Sequence, residues 1–285
     1  MNAKNPKEHS ENLNQQFQLL EKTLISLVHS YVDLFLGRIP SVEHPVYNIR
    51  HSILYRSDCI YFHLKLLIQL QKDILAKISS DFGNIDINHP VMVYGEKQQL
   101  YLFDDIVFHT ISLYDYLGSL IGLLYFGQNK MNLKWNGIHD AAHDKGNKFS
   151  ESSIAYLIIT HHKEWVNLLL EYRSHLIHSK SDKADGEYTI TGTMEYIENR
   201  FTVGVPKRFS KKFRKKIDDI ISQTKERELT LIDVAVWLVN TSIQIVNEII
   251  SCAKQEKENE WNRRKTPQKK SRRKRAESSS VTIGD

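Results

Sequence analysis

Cysteine, glycine and proline are scarce in this sequence of 285 residues, which contains 2, 12 and 6 of them respectively. The two cysteines, Cys59 and Cys252, are too few for a disulfide framework or a cysteine-based zinc site, and they fit a reducing compartment. So little glycine and proline leaves few turns for an all-β protein. No unbroken apolar run reaches the roughly 20 residues of a membrane-spanning helix, and the first residues lack the apolar core of a secretory signal. We therefore expect a cytoplasmic protein without membrane contact.

Charge is distributed unevenly along the chain, whose formal net charge is +5. Residues 262–285 carry nine basic and two acidic side chains, so that residues 1–261 have a net charge of −2. This balance excludes the uniformly basic body of many duplex-binding domains. The end of the chain is also poor in apolar residues, which predicts a disordered basic tail over residues 256–285. Such a tail binds nucleic acid or another anionic surface by neutralising phosphates.

A second basic segment, KRFSKKFRKK, occupies residues 207–216. Its seven basic side chains are those of Lys207, Arg208, Lys211, Lys212, Arg214, Lys215 and Lys216. Clustered cations of this kind give RNA affinity without sequence preference, so these residues are candidate nucleic-acid contacts. The same composition is typical of a solvated helix start or a surface loop, and both interpretations remain open.

Apolar residues recur every three or four positions along most of the chain, which indicates amphipathic helices. Long helices are predicted over about residues 13–36, 49–78, 98–126, 150–178 and 230–252. Residues 128–150 are predicted to form a long polar loop. The segment GEYTITGTMEY alternates apolar and polar residues around Gly192, which predicts a small β-hairpin within about residues 186–205.

These elements predict an all-α fold, an up-and-down bundle of four to five long helices with a small β-hairpin insert. The helical domain is expected over residues 10–255, between a disordered segment at residues 1–9 and the basic tail. Gly118 and Gly122 stand four residues apart in the third predicted helix. This spacing predicts the close approach of another helix, because neither residue has a side chain to hold it away.

Two groups of polar residues are weaker candidate sites. His139 and His143 have the spacing that puts two imidazoles on one helix face for a metal, but no third ligand is identifiable and a solvated loop is favoured. Asp104, Asp105 and His109 are either acid–base groups or ordinary acids near a helix start. No metal and no cofactor are therefore expected.

Histidine and aromatic residues elsewhere fit the core better than a site. His161 falls on the apolar seam of the fourth predicted helix, where a half-buried core histidine is the favoured interpretation. Tyrosine and phenylalanine mostly fall at helical core positions, so a base-stacking platform is not predicted.

The end of the fourth predicted helix, in the stretch WVNLLLEYRSHLIHSK, carries the strongest candidate site. A histidine can take a proton from a ribose 2′-hydroxyl or give one to a leaving oxygen, and a guanidinium can hold the phosphate. Arg173 and His178 supply these two groups without a metal. On an ideal helix their spacing turns about 140°, so they share a site only if the helix end loosens or a second chain contributes. The helix dipole alone also favours basic residues in a last turn, which leaves a structural role open.

The motif EYRSHLIH and the preceding helix DDIVFHTISLYDYLGSLIGLLYFG resemble the HEPN superfamily (higher eukaryotes and prokaryotes nucleotide-binding). Its signature is Arg-x4-6-His at the end of a long helix in an all-α bundle, and the resemblance covers about residues 10–255. It implies a metal-independent endoribonuclease that acts as a homodimer, with the motifs of two chains facing each other. Arg173 and His178 are then the catalytic residues. Ser174, where the family usually has Asn, Asp or His, and His175 are supporting groups.

The resemblance also implies partners and an alternative function. Many members act in toxin–antitoxin, abortive-infection or CRISPR-associated defence systems, so RNA or a nucleotide and an antitoxin or other protein are expected partners. Some members are inactive, and the alternative is a catalytically inactive module that binds nucleotides or proteins. A third interpretation is a structural protein whose tail alone contacts nucleic acid.

Overall fold

Long helices pack into a bundle that carries one small β-hairpin, which confirms the predicted fold class. A computed structural model describes the chain over residues 6–36, 44–80, 89–178, 182–193, 196–224 and 229–265. The apolar stripes of the helices face one continuous core, which is the arrangement that their periodicity predicts.

The elements follow one another along the chain with short connections. The α-helices are α1 (Pro6–Tyr31), α2 (Pro45–Ser80), α3 (Pro90–Phe126), α4 (Trp135–His143), α5 (Ser153–His161), α6 (Asn167–His178), α7 (Lys207–Lys212), α8 (Arg214–Thr224) and α9 (Leu231–Lys265). Two π-helical turns, Val32–Leu36 and His162–Val166, extend α1 and join α5 to α6. The strands β1 (Gly186–Thr193) and β2 (Tyr196–Val203) pair antiparallel, with Gly186 opposite Val203.

The centre of the bundle is formed by α3 and α9, with α2 packed along α3 and α1 packed along α9. Trp165, in the π-helical turn before α6, meets the Trp237 ring of α9 edge to face, with 4.9 Å between centroids. Its indole Nε1 also donates a hydrogen bond to Ser242 Oγ at 3.1 Å. These contacts set the rotation of α6 about its axis and therefore the direction of the side chains that follow.

Two predictions for the middle of the chain are wrong, the start of the third helix and the long loop after it. The third helix begins at Pro90, where proline is favoured because the first helical N–H needs no partner, and the His89 side chain caps it. Residues 128–150 are not simply a loop, because they contain α4. The apolar side chains of Trp135 and Ile138 are buried, and they explain why this polar segment folds as a helix.

The predicted helical domain, residues 10–255, is also too short at both ends. The first described helix begins at Pro6, so residues 6–9 are helical rather than disordered. The last helix continues to Lys265, which makes residues 256–265 of the predicted tail part of α9. Residues 266–285 lie outside the described residues.

Gly118 and Gly122 allow the chain after α3 to fold back against that helix. A Cβ atom at Gly118 would lie 2.7 Å from the Lys134 carbonyl carbon, and one at Gly122 would lie 2.4 Å from the Lys130 carbonyl oxygen. The predicted close approach is confirmed, but another α-helix is not what approaches. The approaching segment is the connection that leads into α4.

Replacing Gly122 by alanine is expected to lower the free energy of unfolding by about 2 kcal/mol. The added methyl group meets a backbone carbonyl oxygen that cannot move by a rotamer change, and this outweighs the helix propensity gained, roughly 1 kcal/mol. Urea denaturation of both proteins measures the difference. Gly137→Ala is the control, since its Cβ would come closest to the Leu133 side chain, whose Cδ2 atom can turn away. Equal destabilisation by both changes would contradict the packing argument.

Two helices are long and apolar enough to cross a membrane by length and composition. They are α3 and α9, each with an 18-residue window of mean hydropathy 1.3. Of the residues in those windows, 67% and 61% respectively are buried inside the bundle. Central helices of a helical bundle have this same composition, because they are apolar on most sides.

Candidate functional site

Arg173 lies on the side of α6 that faces α3. Its guanidinium carbon is 6.0 Å from the centre of the Phe108 ring of α3. Its Nε atom is buried and has no hydrogen-bond partner among the described residues. A buried donor without a partner typically costs about 1–3 kcal/mol, so native proteins seldom keep one without a reason. Arg173 is therefore a cation that is held in place but incompletely satisfied.

His178 and its neighbours lie on the exposed part of the same helix. Ser174, His175 and His178 are all exposed at the end of α6. Because α6 is a regular α-helix here, Arg173 and His178 point about 140° apart around its axis. Within one chain the structure brings Arg173 against α3 and leaves His178 at the surface.

Asp104 is the acidic group of α3 that lies one helical turn before Phe108. Burial raises its pKa to about 7, together with the negative charges of Asp182 and Asp105. The same surroundings raise the pKa of the buried Tyr172 hydroxyl above its ordinary value, chiefly by burial and then by the charges of Asp104 and Asp182. Asp104 is not an acid near a helix start, since α3 begins 14 residues earlier. A carboxyl group with this pKa exchanges its proton at neutral pH, which suits acid–base chemistry.

A second polar group lies on the adjacent face of α3, towards α2. Arg56 Nη1 is 3.0 Å from His109 Nδ1. Arginine only donates, so His109 Nδ1 accepts and the neutral ring carries its proton on Nε2. His63 Nδ1 donates to the Cys59 carbonyl oxygen at 2.7 Å, and its Nε2 lies 3.7 Å from Asp105 Oδ2. The two imidazole rings stack with 5.1 Å between centroids, and burial, followed by the charges of His63 and Arg56, lowers the pKa of His109.

Arg56 and His63 are residues that the sequence analysis did not single out. Their spacing of seven residues places both on one face of α2, and that was the available signal. Sequence spacing does not show which residues of α2 lie beside Asp105 and His109, because the pairing of two antiparallel helices depends on their packing.

Comparison with known proteins gives no relative from which a function could be inferred, so the functional argument rests on the geometry of the site. No family model, curated protein or solved structure matches this chain. The likeness to the HEPN superfamily therefore depends on the motif residues alone.

The basic segment forms α7 and the first turn of α8. Phe209 and Phe213 are buried and stacked, with 4.3 Å between ring centroids, and this turns the basic side chains outward. Asp182 Oδ2 accepts hydrogen bonds from the backbone N–H groups of Arg208 and Phe209 and so caps α7. Exposed side chains in the segment are those of Lys207, Arg208, Lys211, Arg214 and Lys215, while Lys212 and Lys216 are half-buried.

Part of this charge is neutralised by neighbouring acids. Lys207 Nζ lies 3.0 Å from an Asp185 oxygen. Lys212 pairs with Glu171 of α6. These pairs attach the basic segment to α6 and to the residues just before β1, so the exposed cations lie beside α6.

His139 and His143 lie on α4 rather than in a solvated loop, because α4 packs against the π-helical turn. The rings of His139 and His162 stack with 3.7 Å between centroids, and that of His143 meets His139 at 4.7 Å. The Trp135 indole donates to His162 Nδ1 at 3.0 Å, so that nitrogen carries no proton. Among the described residues, no group of three or more His, Cys, Asp or Glu side chains has a metal-binding arrangement. His161 pairs with Glu248 at 3.1 Å and is half-buried, as expected.

This histidine cluster is expected to make the fold less stable in acid. Burial lowers the pKa values of His139 and His162, and the other histidines of the cluster lower them further. A histidine with a lowered pKa stabilises the fold above its unfolded-state pKa, about 6.5, and that contribution is lost as the pH falls below it. His139→Gln should flatten the loss of melting temperature between pH 7 and pH 5. The exposed His51→Gln serves as control, and an unchanged slope in the His139 variant would count against the cluster.

Proposed function

We propose that this chain is a metal-independent endoribonuclease of the HEPN type, with Arg173 and His178 as its catalytic residues. The position of Arg173 gives the strongest support. Its guanidinium lies over Phe108, one helical turn from Asp104, whose pKa is about 7. A fixed cation and an acid that is half-protonated at neutral pH supply the charge stabilisation and proton transfer that phosphodiester cleavage needs.

The reaction follows from these roles. His178 accepts the proton of a ribose 2′-hydroxyl while O2′ attacks phosphorus. The P–O5′ bond breaks, and the leaving O5′ takes the proton of Asp104. Arg173 donates hydrogen bonds to the non-bridging phosphate oxygens and stabilises their growing charge. The products are a 2′,3′-cyclic phosphate end and a 5′-hydroxyl end.

A second copy of the chain completes this site. Arg173 and His178 diverge by about 140° around α6, so one chain supplies the arginine and another the histidine. A two-fold dimer forms two such sites at once. Ser174 and His175, exposed between them, contact the RNA backbone in this arrangement.

The exposed cations of α7 and α8 add affinity for RNA without sequence preference. They lie beside α6, and the RNA enters the site along them. We place this activity in the cytoplasm, in a toxin–antitoxin or phage-defence context, with an antitoxin protein as its natural inhibitor.

The alternative function is a binding module of the same fold without cleavage. The observation in its favour is the separation of Arg173 and His178 within one chain. A module of this kind binds a nucleotide or protein partner through Arg173 and needs no histidine.

Incubating the purified protein with a mixed RNA pool in EDTA tests the proposal. We expect cleavage, with 2′,3′-cyclic phosphate ends that are sensitive to a cyclic phosphodiesterase. A folded, dimeric protein that leaves the pool intact supports the binding module instead. Cleavage only after Mg²⁺ is added would refute the metal-independent mechanism.

A further inference from the structure

Two large aromatic side chains of α2 are exposed where burial is the rule. The Tyr55 and Phe62 side chains are 61% and 58% exposed. They stand seven residues apart, two helical turns, so they lie on one face of α2 about 10 Å apart. Most of the described tyrosines and phenylalanines lie in the core or pack against it, as expected, so these two rings are exceptions.

Cationic and hydrogen-bonding groups lie between and beside these rings. The Arg56 guanidinium carbon is 5.5 Å from the centre of the Tyr55 ring, and the His63 ring meets the edge of Phe62 at 5.5 Å. The Arg56 guanidinium uses one Nη1 hydrogen bond for His109 while its Nε is buried without a partner among the described residues, and the proton on His109 Nε2 is a further donor. Rings that alternate with phosphate-binding donors form the usual platform for single-stranded nucleic acid.

The groove between α2 and α3 continues from this platform as an apolar hollow. Leu66, Leu70 and Leu102 line it, together with Tyr101, whose side chain is 60% exposed, and the polar side chains of Gln69, Asp73 and Gln98 lie at the end away from Arg56. Its volume is about 400 Å³, within the range of ligand pockets and large enough for a nucleobase. The groove therefore offers stacking surface along its length and phosphate donors at one end.

The groove also lies next to the proposed cleavage site. Phe108 and His109 are consecutive residues of α3, and Arg173 covers the first while Arg56 bonds the second. The two arginines therefore flank one turn of the same helix, roughly one helix diameter, about 10 Å, apart. Stacked bases rise about 3.4 Å each, so about three nucleotides span that distance.

We propose that the groove between α2 and α3 binds single-stranded RNA, with unpaired bases stacked on Tyr55 and Phe62 and a phosphate held by Arg56 and His109. A base-paired strand cannot offer its faces to these rings, so the groove selects unpaired RNA. Asp105 Oδ2 lies 3.7 Å from His63 Nε2, and the Arg56 guanidinium supplies positive charge at this end of the groove. The inference depends on the proposed function, because it names the form of RNA that reaches Arg173.

Fluorescence anisotropy with a fluorescein-labelled 2′-O-methyl oligouridylate tests the groove, because this probe binds but has no 2′-hydroxyl to attack. Tyr55→Ala and Phe62→Ala should each weaken binding roughly 5- to 150-fold, the loss expected for one stacked base. Tyr156→Ala is the matched control, since that ring is 70% exposed on α5, away from the groove. A duplex of the same length should bind less tightly than the single strand and lose little in either variant.

Arg56→Gln separates phosphate contact from stacking. Glutamine still donates to His109 but carries no charge, so the slope of log affinity against log salt should fall by about one. Unchanged affinity in all three variants overturns the inference. If, in addition, these variants are monomers where the wild type is a dimer, the face serves self-association instead. If the wild-type protein binds the probe, Phe62→Ala weakens that binding and no RNA is cleaved, the proposed function is refuted and the groove is not. RNA cleavage with an unchanged KM in Phe62→Ala refutes the groove alone.

Discussion

Arg173→Ala is expected to lower kcat/KM for RNA cleavage about 10²–10³-fold while the fold is retained. The guanidinium stabilises charge that appears on the phosphate only in the transition state, and loss of one such donor typically has this effect. The Arg173 Nε has no hydrogen-bond partner among the described residues, so replacing the side chain by alanine breaks no hydrogen bond at that atom. Single-turnover cleavage of a defined RNA, beside a circular dichroism melt, measures both quantities.

A matched arginine variant shows whether this loss is specific. Arg214→Ala removes a guanidinium whose side chain is 82% exposed on α8, so it should weaken RNA affinity slightly and leave the cleavage step unchanged. Mixing Arg173→Ala with His178→Ala chains tests the shared site. Random exchange makes half the dimers mixed, each with one intact site, so about a quarter of wild-type activity should return. Two inactive proteins that stay inactive on mixing would contradict a site built from two chains.

Asp104→Asn is expected to change activity and stability in opposite directions. Loss of the proton-transfer group should lower cleavage about 10²–10⁴-fold and remove the limb of the pH–rate profile near pH 7. The pKa of Asp104 is raised in the folded state, so its contribution to stability is present at low pH and lost as the pH rises from about 4 through 7. An asparagine stays neutral, so at pH 8 the variant should be more stable by about 2 kcal/mol, allowing for partial exposure.

Urea denaturation at pH 4 and pH 8 measures the stability change. The two proteins should differ little at pH 4 and most at pH 8. Asp218→Asn, on the exposed face of α8, should change neither cleavage nor this pH dependence. Full activity in Asp104→Asn would show that the carboxyl group takes no part in the reaction. Equal free energies of unfolding for the variant and the wild type at pH 8 would show that the surroundings of Asp104 do not disfavour its charged form.

The fold was predictable where one face of a helix repeats over many turns. The stripes of α1, α2, α3 and α9 follow from the spacing of apolar residues, and so does the hairpin from its alternation. Helix α4 was missed because only Trp135 and Ile138 among its nine residues are large and apolar, and their burial depends on the glycines of α3. Short polar helices of this kind form through tertiary contacts rather than through a local pattern.

For the candidate site, the sequence predicted how residues of one helix are arranged around its axis, but not which residues of different helices meet. The spacing of Arg173 and His178 correctly indicated that they diverge around α6. The place of Arg173 over Phe108, and the pairing of Arg56 with His109, depend on how two helices meet, which no spacing within one of them encodes. The pKa of Asp104 likewise depends on Asp182, which is 78 positions away in the chain.

The π-helical turn at His162–Val166 has a genetic consequence. Such a turn holds one residue more than an α-helical turn, and each residue of a helix rotates all that follow by about 100°. Deleting a single codon in this turn would merge α5 and α6 into one uninterrupted α-helix. Arg173 would then swing by about 100° away from Phe108, although every side chain of α6 would still be present. A chain without the extra residue would keep the same bundle but would not hold this arginine against α3.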